Sequence, residues 1–219
     1  MTRKYEGAIR NKERTKDKLI NAVGQIIRED GYAGLKLRKI EKVAGVDRKT
    51  LYDNFGSIEN LVETYIKQKD YYSGFDNKMG ELLKSVKDDY GANFMKGVML
   101  EHLDFFSKDV DMQQAILCHL NSTYPGIEEV YEEREKIGSI FLDLAEPFFE
   151  HTSTDLRARI SIIVAAVYFI ILNKKSRICN LDIKTPEGMN RIKKTIASMV
   201  EEAYFEAKKQ KKTLGNNLP

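Results

Sequence analysis

An all-α fold is what this sequence predicts, and three observations predict it. Four prolines in 219 residues leave long stretches free to be helical. Apolar residues recur at spacings of three and four, whereas no segment alternates as a half-buried strand would. Glycines and small polar residues fall where helices of ordinary length would stop and start. Together these signals divide the chain into about nine or ten helices, with no internal repeat.

The elements follow in order. Leu19, Ile20, Val23, Ile26 and Ile27 share one face of a helix from about Asn11 to Asp30, which Gly31 stops. A second, short helix fits Leu37 to Ala44 and breaks at Gly45-Val46. Asp47 is placed to cap a third, Arg48 to Phe55, by accepting its first free amides. Gly56 ends that helix, and Ser57 caps a fourth carrying Ile58, Leu61, Val62, Tyr65 and Ile66. Gly74 and Asp88-Asp89-Tyr90-Gly91 read as kinks or turns. Asp109 caps a helix through Leu120, and Tyr124-Pro125-Gly126 is a turn. A long helix follows from Ile127 to Glu150, ended or kinked near Pro147. Thr154 or a neighbour caps an apolar helix, and Thr185-Pro186 begins the last one.

Composition narrows the class of protein. A hydrophobic fraction of 42% with 32% charged residues describes a soluble globular chain. Its most apolar run, Ile160 to Leu172, spans thirteen residues and is closed by Arg159 and Lys174. A membrane-spanning helix needs about 20. Cys118 and Cys179 fit no metal or redox spacing, and no signal-peptide pattern precedes them, so a cytoplasmic location is expected. No cofactor or metal is implied. The net charge of +3 is uneven: residues 1–56 hold fourteen Lys and Arg against eight Asp and Glu. A basic first quarter on a mildly acidic body points to a polyanionic partner.

The stretch from Gly31 to Val62, GYAGLKLRKIEKVAGVDRKTLYDNFGSIENLV, carries the functional signal. Two short helices joined by a glycine turn are the geometry that presents a second helix to the DNA major groove. Leu37, Ile40, Ala44, Val46, Leu51 and Phe55 would fix the angle between them, with Ala44 and Gly45 small at the close approach. Arg48, Lys49, Thr50, Asp53 and Asn54 are left on the outer surface, a composition suited to phosphates and base edges.

Gly31-Tyr32, Ile40, Ala44-Gly45-Val46, Leu51-Tyr52, Phe55 and the pattern Ser57, Glu59, Leu61 make this stretch resemble the tetracycline-repressor (TetR) family of transcription regulators. The resemblance covers residues 11 to 66 without gaps. It implies a DNA-binding domain over residues 1–56, extended to about 66 by the linking fourth helix, and an effector-binding and dimerisation domain over 57–219. It also implies that Thr50, Tyr52 and Asn54 touch DNA, Tyr52 through a phosphate, and that Lys49 and Arg38 reach backbone or base. Lys36 and Leu37 stand where the family often has threonine, Glu41 where it usually has alanine, and Ile58 where it very often has a phosphate-binding lysine. Lys36 and Lys49 can compensate for that lysine. Arg3, Lys4, Arg10, Lys12, Arg14, Lys16 and Lys18 form a basic arm, either solvated or tracking the DNA backbone.

Two stripes mark the last helices. Leu156, Ile160, Ile163, Val167 and Ile170 are spaced 4, 3, 4, 3, while Met189, Ile192, Ile196, Met199 and Ala203 are spaced 3, 4, 3, 4. Each stripe serves either as internal core or, as the resemblance implies, as part of a four-helix homodimer interface. The expected interface is Ile160, Ile163, Val167, Ile170, Ile192, Ile196, Met199 and Ala203. An effector pocket is expected around Met99, His102, Phe106, His119, Tyr124 and Phe141, with the histidines and Tyr124 as its polar groups. The basic end at Lys208, Lys209, Lys211 and Lys212 complements a helix C-terminus.

These readings converge on a dimeric regulator binding a double-stranded, palindromic operator and released by a small, largely apolar effector. An activator or a partner-controlled regulator shares the same features. A helical adaptor that has lost DNA binding is the competing class, motivated by Glu41 and Ile58. No nucleophile with base, paired carboxylates or phosphate loop supports an enzyme.

Overall fold

A computed structural model describes residues 2–69, 79–120 and 128–215. These form ten α-helices and one short hairpin: α1 (Thr2–Asp30), α2 (Leu37–Ala44), α3 (Arg48–Phe55), α4 (Ile58–Lys69), α5 (Met79–Asp89), α6 (Ala92–Lys108), α7 (Val110–Leu120), α8 (Glu128–Phe149), α9 (Leu156–Leu172), β1 (Arg177–Ile178), β2 (Leu181–Asp182) and α10 (Pro186–Gly215). Gly74, the turn Tyr124-Pro125-Gly126, the chain end from residue 216 and the side chains of Arg3, Lys4 and Arg10 lie outside the described residues. Among the described residues, no helix is long and apolar enough to cross a membrane.

The chain forms two compact units, and neither is a single sequence segment. One unites Met1–Ser73 with Asp109–Arg134, and the other Gly74–Lys108 with Glu135–Pro219. The first unit therefore extends beyond residue 56, taking in α4 and α7.

In the first unit, α1 packs on α2, α4 and α7. Leu19, Val23, Ile26 and Ile27 are wholly buried on one α1 face, meeting a core that includes Ile40, Leu51, Leu61, Val62, Ile66 and Met112. Each fully buried aliphatic side chain stabilises this unit by about 1.5–3 kcal/mol. Gly24 matters because a Cβ there would come within 2.7 Å of the buried Tyr65 ring. Helix α1 starts at Thr2, nine residues before the expected Asn11.

In the second unit, α6 packs against α5, α9 and α10. Its buried Met95, Val98, Met99, Leu103 and Phe106 join Ile160, Ile163 and Val167 of α9 and Ile196, Val200, Ala203 and Ala207 of α10. Aromatic rings extend this core, with Phe94 edge-on to Phe141 at 5.4 Å and Phe149 edge-on to Tyr204 at 4.9 Å. Burial, with Asp89 nearby, pushes the Tyr204 phenol above its ordinary value.

The starts and stops rest on identifiable contacts. Asp109 Oδ1 accepts from Met112 N at 2.9 Å, and Asp155, the neighbour of Thr154, accepts from Ala158 N at 2.9 Å. Tyr90 and Gly91 turn the chain between α5 and α6 with φ of 59° and 87°. Pro147 lies inside α8, which continues two residues to Phe149. The hairpin is new relative to the sequence expectation. Cys179 and Asn180 at its tip take φ of 48° and 63°, the left-handed pair that a two-residue hairpin requires. Two paired residues per strand are too few to show a period. Just beyond it, a Cβ on Gly188 would overlap the Asp182 carbonyl, so glycine is needed for α10 to begin there.

Candidate nucleic-acid interface

The turn between α2 and α3 is built from backbone preference. Gly45 adopts φ 62° and ψ 36°, and its N–H donates to the Glu41 carbonyl. A Cβ at Gly45 would meet nothing within 4 Å, which corrects the expectation of a close approach. Glycine is favoured there because other residues pay for left-handed φ. Asp47 then starts α3, its Oδ1 accepting from Thr50 N at 2.7 Å. That amide holds the Asp47 carboxylate below its ordinary range.

Packing fixes which face α3 shows. Ile40, Ala44 and Leu51 are buried, so the helix is clamped along its inner side. Arg48, Lys49 and Asp53 are exposed, as are Lys36 and Arg38, while Tyr52 is 36% exposed. The Arg48 guanidinium lies 5.3 Å from the Tyr52 ring centroid, pairing a cation with an aromatic face. Thr50 and Asn54 are only half-exposed. Asn54 Nδ2 donates to the Thr50 carbonyl at 2.8 Å, so one of its amide donors faces back along the helix. At the start of α4, Ser57 Oγ accepts from Asn60 N at 3.0 Å, and Ile58 is half-buried.

Behind the reading helix stands an ion pair that the sequence did not reveal. Arg28 Nη1 of α1 donates to both carboxylate oxygens of Asp111 on α7, each at 3.0 Å, and lies 3.5 Å from the Tyr65 hydroxyl of α4. The Asp111 side chain is 10% exposed and the Arg28 side chain 49%. Desolvation lowers the Arg28 pKa, but the bonds to Asp111 outweigh it and hold the guanidinium above its ordinary value. Burial, then Asp111, pushes the Tyr65 phenol up. Pairing over 83 residues leaves no local signal; only the acidic first turn of α7 hinted at it.

The other expected sites are distributed over both units. Met99, His102, Phe106 and Phe141 are buried in the second, where His102 lies 6.1 Å from Phe106 and 5.4 Å from Tyr168 between ring centroids. His119 belongs to the first, stacked on Tyr131 at 3.8 Å, and Tyr124 is outside the described residues. Of the expected interface residues, Ile160, Ile163, Val167, Ile196 and Ala203 are buried within the chain itself, while Ile170, Ile192 and Met199 are half-buried. The apolar surface open on α9 lies beside that stripe instead, at Ile162, Ala165, Ala166 and Phe169. Among the described residues, no cluster of three His, Cys, Asp or Glu is placed to hold a metal ion.

Residues 19–65 match the family model described as bacterial regulatory proteins, tetR family. The N-terminal region is thus a helix-turn-helix domain of that type, reaching from the middle of α1 into α4. No curated protein and no solved structure matches the chain.

Proposed function

We propose that the chain is a sequence-specific, DNA-binding transcription repressor that binds a twofold operator as a homodimer and leaves it when a small, largely apolar effector binds. The observation that carries this reading is the outer face of α3. A helix capped by Asp47 and clamped by Leu51 presents Arg48, Lys49, Tyr52 and Asp53 to solvent at the far side of a glycine turn. Lys36, Arg38 and Lys49 supply phosphate contacts, and Arg48 and Asp53 reach base edges. Thr50 and Asn54 lie at the rim of this surface, and Asn54 serves it by turning from the Thr50 carbonyl.

Dimerisation follows from the same reading, since a palindrome needs two reading heads at fixed spacing. Positions 162, 165, 166 and 169 follow the helical i, i+3, i+4, i+7 pattern, and Ile162 and Phe169 are 61% and 62% exposed. A second copy seated on this face would bury it; Ile170, Ile192 and Met199 are its half-buried margin. The effector is assigned to the Met99, His102, Phe106 and Phe141 cluster, where one imidazole sits among apolar groups. It can drive release only through unequal affinity for the DNA-bound and free states.

The test is selection of duplexes from a random pool by the full chain, followed by fluorescence anisotropy against salt concentration. A palindromic site bound at least about 10³-fold over random duplex is expected. No binding to any duplex at low salt would overturn the proposal. Light scattering of Phe169→Glu, expected to be monomeric where the parent is dimeric, tests the interface.

A further inference from the structure

A groove of 420 Å³ opens in the first unit between α1, the end of α3 and α4, within the range of small-molecule sites. It lies behind the exposed α3 face, and nothing in the reading of DNA uses it. Its walls are rich in acceptors because their donors are already engaged. Asn54 Nδ2 donates to the Thr50 carbonyl at 2.8 Å, Asn60 Nδ2 to the Phe55 carbonyl at 3.0 Å, and Thr64 Oγ1 to the Asn60 carbonyl at 2.7 Å. What remains is oxygen. Asn54 Oδ1 is buried and accepts no hydrogen bond.

Glu13 and Asp17 of α1 add two carboxylates to the lining. They stand one helical turn apart, with Cβ atoms roughly 5–6 Å from each other. Neither is in an ion pair among the described residues. The groove's one ammonium, Lys16 Nζ, sits 6.0 Å from the centroid of the Phe55 ring. An aromatic wall that accepts a lysine head accepts other ammonium groups. Two carboxylates against one ammonium leave the groove net negative.

We propose that this groove binds a small aliphatic diamine, with one ammonium on each of Glu13 and Asp17 and a further N–H donated to Asn54 Oδ1. The methylene chain between the ammonium groups lies along Ile20 and Phe55, the apolar part of the lining. Two linked charges on a matched pair of carboxylates gain over a single charge because the second contact is intramolecular.

Isothermal titration of the full chain with putrescine, without DNA, tests this directly and does not depend on whether the chain reads DNA. Saturable binding of one putrescine per chain is expected, with butylamine at least tenfold weaker and succinate not binding. Glu13→Gln with Asp17→Asn, both at exposed positions and so compatible with folding, should weaken putrescine at least tenfold. Lys16→Gln removes the competing cation and should tighten it severalfold. Equal affinity for butylamine and putrescine, an unchanged double variant, or no saturable heat would each overturn the proposal.

Discussion

Breaking the Arg28–Asp111 pair tests how α7 is held to the helix-turn-helix. The two partners are unequally buried, with Asp111 at 10% and Arg28 at 49% side-chain exposure. At 3.0 Å and an effective dielectric of about 20, the bare attraction is about 5 kcal/mol. Dehydrating Asp111 and solvent screening of the open half of Arg28 offset most of that. Hydrogen bonds to charged groups contribute about 1.5–3 kcal/mol net, and this sets the scale. Arg28→Met strands a buried carboxylate and should cost about 2–3 kcal/mol. Asp111→Asn leaves a guanidinium that water can reach, so its cost should be about 1 kcal/mol. The double variant should cost less than the two singles together, because the pair is one interaction. Urea unfolding of the four proteins at pH 7 gives all three comparisons. The reasoning fails if Asp111→Asn proves the more damaging single change, or if the costs simply add.

Three further outcomes follow from the reading unit. Gly45→Ala should cost about 1–2 kcal/mol in urea unfolding through left-handed φ alone, whereas Gly45→Asn should cost less; equal losses would mean that space, not φ, selects glycine. The Asp47 carboxylate has its pKa lowered by the Thr50 amide, so its stabilisation is fully present above the ordinary carboxylate range and is lost as pH falls through the lowered folded value. The stability gap between the parent and Asp47→Ala, followed by circular dichroism on acidification, should therefore be constant near neutrality and close in acid. Lys49→Ala should weaken all duplexes alike and reduce the slope of log affinity against log salt by about 0.9, as loss of one phosphate contact does; a change confined to one base position would make Lys49 a base reader.

Local chemistry made the reading unit legible in the sequence. The limits of α2 and α3 are set by Gly45, Asp47 and Gly56, each acting on its own backbone or a near neighbour, and those limits fall where the residues place them. The same holds for Ser57 and Asp109, whose caps reach only three residues. Long-range relations left no such trace. Arg28 and Asp111 are ordinary charged residues until α7 is laid against α1, and the groove at Glu13 and Asp17 exists only once α3 and α4 supply its other walls. Asn54 shows the limit at a single residue: its place on α3 was readable, but the turn of its amide toward the Thr50 carbonyl was not.

Helix α9 shows why a face cannot be assigned from periodicity alone. Its sequence is apolar nearly all round, so a 4, 3, 4, 3 spacing can be drawn through Leu156, Ile160, Ile163 and Val167 or beside it with equal hydrophobic weight. The first set is buried against the chain's own helices, which leaves Ile162 and Phe169 outside. A soluble helix normally turns polar residues to water, and α9 instead keeps Ile, Ala, Ala and Phe there. Packing within one chain accounts for the first stripe and gives no reason for the second. A partner of matching shape does, and the identical face of a second copy satisfies that requirement with a twofold axis, the symmetry that a palindromic DNA site demands.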